Sequence, residues 1–109
     1  MIEFDTAEEY YNFFEAIPEK KWCTGRFQIE PVGLEPVGQR CAIGHLTDGK
    51  GDGYGNHPFR DFLSFLDKGN SQNAASINNG SNKLAKMLGD TPKERILNAL
   101  LLKANGLLK

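Results

Sequence analysis

The sequence predicts a mainly α fold, with α+β as its variant: a compact helical domain of four to five helices carrying a short hairpin or extended insert around residues 25–39. Three observations lead there. Two T-x-x-E capping boxes open apolar stripes at helical spacing near either end of the chain. Between residues 20 and 39, Gly and Pro interleave with apolar residues in a way no helix tolerates. No internal repeat divides the 109 residues, so residues 1–109 form a single domain with one modest core.

Each element has its own local signal. Thr6 and Glu9 box the first helix, along which Ala7, Tyr10, Tyr11, Phe14 and Ile17 recur on one side until Pro18 ends it. The alternation in RFQIEPVG suits one short strand, while Pro31 and Pro36 argue against a central sheet position. CAIGHL reads as a buried helical turn or short helix covered on one side by Ala42, Ile43 and Leu46. Pro58 stands at a first helical position ahead of Phe59, Phe62, Leu63 and Leu66, and Gly69 stops that helix. The Asn-rich run 70–80 reads as irregular, with Ala74, Ala75 and Ile77 packing down as a turn. Ser81 caps a short helix through Leu84, Met87 and Leu88, closed by Gly89. In the last helix Thr91 caps, Pro92 sits at the first position, Glu94 completes the box, and Ile96, Leu97, Leu100, Leu101 and Ala104 make a wide stripe.

Composition excludes several classes. With 39% hydrophobic and 25% charged residues the chain is globular rather than disordered. A net charge of -1 offers no basic field for nucleic acid. The acidic start MIEFDTAEEYY is not an export signal, and no window is long and apolar enough for a membrane span. Two cysteines imply free thiols in a reducing, cytoplasmic setting, with a Cys23 to Cys41 bridge open only after export. Acids concentrate before residue 20 and bases after residue 81, so the two ends attract each other or form solvated faces, with a basic helical patch for an acidic partner as the alternative; paired between chains, they would also suit a homodimer.

The stretch GHLTDGKGDGYGNHP, residues 44 to 58, resembles three known devices and completes none. Gly44 to Lys50 spells G-x-x-x-x-G-K, but Gly51 stands where a phosphate loop needs the Ser or Thr that holds magnesium. Asp48 to Phe59 overlays a calcium loop with Lys50 at its third position and Phe59 at its twelfth, where carboxylates are required; Asp48, Asp52 and Asp61 make only a looser set. The third device uses the only Cys and His residues. Cys23, Cys41, His45 and His57 could complete a zinc shell, with Cys41 and His45 at i and i+4 on one helical face, yet C-x17-C-x3-H-x11-H is no finger spacing. No cofactor is implied. A catalytic thiol is the remaining chemistry: Cys41 at a helix start, with His57 or His45 as base. The plainer reading makes Cys41 a buried core residue beside a close-packing Gly44.

KWCTG, RCAIGHL, INNGS ahead of a helix and TPKERILNAL together resemble a family of small bacterial and phage proteins, a domain of unknown function with W-C-x-G and C-A-x-G-x-L elements. The likeness spans about residues 5 to 104. It implies that Trp22, Cys23, Gly25, Cys41, Ala42, Gly44 and Leu46 form the shared nucleus. Asn79 stands where that family tends to have Asp, and His45 where it usually has a small residue. The family brings no activity with it. The expectation is a small noncatalytic binding or regulatory protein, an accessory protein of a phage or mobile element that contacts a host protein. Phe13 and Phe65, beside rather than within the apolar stripes, would form the interface with Tyr54; otherwise both phenylalanines widen the core. A Cys41/His57 enzyme and a small zinc domain are the alternatives.

Overall fold

The structure, a computed structural model, describes residues 2–24, 39–47, 57–67 and 70–106, with backbone alone for 65–67, 70 and 71. Helix α1 spans Ala7–Glu15, α2 Ala42–Thr47, α3 Pro58–Phe62, α4 Ala74–Asn79, α5 Lys83–Lys86 and α6 Pro92–Ala104; a 3-10 turn covers Glu19–Lys21. Strands β1 (Phe65–Asp67) and β2 (Asn70–Gln72) pair antiparallel, Phe65 opposite Gln72 and Asp67 opposite Asn70. The fold is mainly α.

Both ends form as their capping signals require. The Thr6 hydroxyl oxygen accepts the Glu9 amide at 3.2 Å and its O–H donates to Glu9 Oε1 at 3.0 Å. Thr91 does the same for the Glu94 amide at 3.2 Å, while Glu94 Oε2 reaches back to the Asp90 amide at 2.9 Å. The stripes of these two helices face one another, and α6 packs on both α1 and α4. Two hydrogen bonds join these ends: Lys93 Nζ donates to the Glu15 backbone carbonyl at 2.9 Å, and the Thr91 hydroxyl donates to Glu19 Oε1 at 2.6 Å.

The core combines aromatic and aliphatic side chains in one cluster. Tyr10 and Phe14 of α1 meet Phe59 of α3 at ring separations of 4.6 and 5.2 Å, and Phe14 meets Trp22 at 5.4 Å. Ile43, Leu46, Ile77, Ile96 and Leu100 belong to the same cluster. Among the described residues no helix is long and apolar enough to cross a membrane.

Three local expectations are corrected. The 70–80 run is not irregular: it supplies β2 and then α4. The Asn73 side chain accepts the amides of Ala75 and Ser76 at 3.0 and 3.1 Å, and Ser76 Oγ accepts the Asn73 amide at 3.0 Å. Asn residues that favour turns are equally good helix caps, and Gly80 at φ 59° ends α4 in the left-handed region. Helix α3 stops at Phe62 instead of running to Leu66, with Ser64 Oγ donating to the Asp61 carbonyl at 2.6 Å before the chain extends into β1. Asn82, not Ser81, caps α5 through the Ala85 amide at 2.9 Å. The insert expected around residues 25–39 lies, but for Gln39, outside the described residues.

Candidate functional site

Four segments distant in sequence, around Trp22, Arg40, Asn78 and Arg95, converge on one polar node. Trp22 and Arg40 form an isolated parallel bridge: the Arg40 amide donates to the Lys21 carbonyl at 2.8 Å and the Cys23 amide to the Arg40 carbonyl at 3.0 Å. The buried Asn78 side chain stands beside it, accepting the Ala42 amide at 3.0 Å and donating to the Cys23 carbonyl at 3.0 Å. Asn78's own carbonyl accepts Arg95 Nη2 at 2.7 Å, while Arg95 Nε donates to the Ile77 carbonyl at 2.9 Å and Nη1 to the Gly89 carbonyl at 3.2 Å. Arg95 thus closes the C-terminal end of α4, where free carbonyls and the negative end of the helix dipole favour a cation. Burial draws the Arg95 pKa down, with Asp90 and Glu94 acting in the opposite direction.

The side chains of Cys41, His45 and His57 each engage backbone groups. Cys41 precedes α2, and its Sγ accepts the Gly44 amide at 3.3 Å. Burial pushes its thiol pKa up, outweighing the pull of the amides, so the thiolate is disfavoured at neutral pH. His45 Nε2 faces the Lys21 carbonyl at 3.0 Å and must therefore carry the proton; its ring lies 5.1 Å from that of Trp22. Burial lowers the His45 pKa to about 4, with Arg40 contributing in the same direction.

His57 is 1% exposed and caps α3. Its Nδ1 accepts the Phe59 amide at 3.0 Å, which leaves the proton on Nε2, and Nε2 donates to the Ile2 carbonyl at 2.8 Å. Both ring nitrogens are thereby occupied by backbone, so in this arrangement His57 has no lone pair with which to take a proton from Cys41. Among the described residues no three His, Cys, Asp or Glu side chains are gathered closely enough to share a metal, so Cys23, Cys41, His45 and His57 are not assembled as a zinc shell.

Of the three aromatics read as an interface, Phe13 is half-buried against Phe4 and Phe14, at ring separations of 5.6 and 5.2 Å, and widens the core. Phe65 is described only as β1 backbone opposite Gln72, and Tyr54 lies outside the described residues, as do residues 48–56 of the Gly-rich loop. Gly44 to Thr47, the start of the phosphate-loop likeness, are part of α2.

The surface shows what sequence reasoning missed. Met87, expected on the buried side of its helix, is 74% exposed, and Leu101 of α6 is 44% exposed. Next to Met87, the Leu88 carbonyl accepts Asn98 Nδ2 of α6 at 2.5 Å. Asn78 and Arg95 were also missed, although an Arg directly before Ile96 in an apolar stripe is a signal that its guanidinium has buried acceptors. The chain matches no protein-family model, no curated protein and no solved structure.

Proposed function

We propose that this chain is a small noncatalytic binding or regulatory protein, of the kind that phages and mobile elements use as accessories, acting by contact with a host protein. The observation that carries the reading is the exposed pair Met87 and Leu101, set beside the exposed Lys83 and Lys86 of α5. An exposed flexible thioether and an exposed aliphatic side chain, with exposed lysines close to Met87 in sequence, suit an adaptable protein contact. The occupied nitrogens of His57 and the raised Cys41 thiol weigh against the Cys41/His57 enzyme.

The test uses Met87→Glu with Leu101→Glu, two surface changes that leave the core untouched. Immobilised wild-type protein and the double variant are exposed to the same host lysate, with circular dichroism as the control for folding. A host protein held by the wild type and lost by the folded variant supports the proposal. Identical retention by both chains removes this surface from it.

A further inference from the structure

Cys23 and Cys41 are separated by C-x17-C in sequence, yet the parallel bridge makes them the next pair in register after Trp22 and Arg40. On one side of this pair lies a direct rung, the Cys23 amide on the Arg40 carbonyl at 3.0 Å. On the other side, an ordinary ladder would place the Ala42 amide on the Cys23 carbonyl. Here the rung is relayed through one carboxamide: Ala42 N–H to Asn78 Oδ1 at 3.0 Å, then Asn78 Nδ2 to the Cys23 carbonyl at 3.0 Å. The two cysteines are therefore bracketed by hydrogen bonds before and after.

Neighbouring strands run about 4.8 Å apart, and an inserted amide splays them only on its own side. A disulfide here requires the two Cα atoms to lie within the roughly 4.4–6.8 Å that such a bond spans. Residues paired in register project to the same face. Neither cysteine is in a disulfide.

We propose that Cys23 and Cys41 are an oxidation site, converted by a small-molecule disulfide into an intramolecular bond that staples the end of the 3-10 turn to the start of α2. Cys41 is the half-buried member and Cys23 only 6% exposed, which sets the order of events. The Cys41 thiolate attacks the disulfide reagent, forming a mixed disulfide and expelling one thiolate. The Cys23 thiolate then attacks the Cys41 sulfur and expels the second. Two protein thiols lose two protons and two electrons in all, and the reagent is reduced to two thiols. Cys41 Sγ releases its 3.3 Å contact with the Gly44 amide as it turns toward Cys23. Because burial disfavours the Cys41 thiolate, the first step is slow at neutral pH and quickens as pH rises.

The test treats the folded protein with excess oxidised glutathione at mildly alkaline pH and follows intact mass and non-reducing peptide maps. The expected product is a monomer lighter by about 2 Da, two hydrogens, with the Cys23 and Cys41 peptides joined. Cys23→Ser, under the same treatment, is expected to stop at a stable glutathione adduct on Cys41. A wild-type protein that accumulates only adducts, forms only intermolecular dimers, or keeps both thiols free until denatured overturns the proposal, whatever the variant does.

Discussion

Arg95 and Asn78 are joined at the end of α4, the guanidinium donating to the Asn78 carbonyl at 2.7 Å, while the Asn78 side chain ties Cys23 to Ala42. One residue thus belongs to two systems at once. Its backbone ends a helix on a cation, and its side chain completes a ladder between segments distant in sequence.

Replacing Asn78 tests that second role. Asn78→Leu keeps approximate volume but leaves the Ala42 amide and Cys23 carbonyl without their partner in a dry interior. With roughly 1–3 kcal/mol for each of the two unsatisfied buried groups, a loss of about 2–6 kcal/mol is expected in urea unfolding. A change below about 0.5 kcal/mol, the range of an ordinary surface substitution, would mean that solvent already satisfies these groups.

Gly80 and Arg95 are expected to be coupled. Gly80 has φ 59°, and a Cβ there would stand 3.1 Å from Arg95 Cζ. Gly80→Ala should cost about 1–2 kcal/mol from backbone strain, plus displacement of the guanidinium. Arg95→Lys should also destabilise, because a single ammonium cannot span the carbonyls of Ile77, Asn78 and Gly89 as a planar fork does. In a double-mutant cycle the combined cost is expected to fall short of the sum, since only the first displacement meets an intact fork.

Acid sensitivity should trace partly to His45. Its folded pKa of about 4 lies below the ordinary 6.5, so the unfolded chain binds the proton more readily. Stability from this group is therefore fully present above about pH 6.5 and is lost as pH falls through about 4. Denaturation midpoints measured across that window should decline in the wild type and decline less in His45→Gln. Parallel slopes would assign the acid response to other groups.

Cys41 should alkylate slowly in the folded protein. A thiol whose pKa is raised by burial exposes little thiolate at neutral pH, so iodoacetamide should label it more slowly than the same residue in urea. Faster labelling in the folded state would restore the catalytic reading of Cys41.

The sequence by itself determined the mainly α character, α1, α6 and the short buried α2. Their information is local: a hydroxyl and a carboxylate three residues apart cap a helix, and a stripe at helical spacing buries it. The Asn-rich run misled because the same side-chain chemistry serves turns and helix caps. Only placement against the core made it α4. Tertiary structure likewise decided that His57 caps α3, that Met87 faces outward, and that Cys23, Ala42, Asn78 and Arg95 share one node. The bonds of that node link residues 17, 36 and 55 positions apart, distances at which no spacing rule operates. Their physical basis is the cost of leaving buried amides and carbonyls unpaired, which acts only after the helices have brought those groups together.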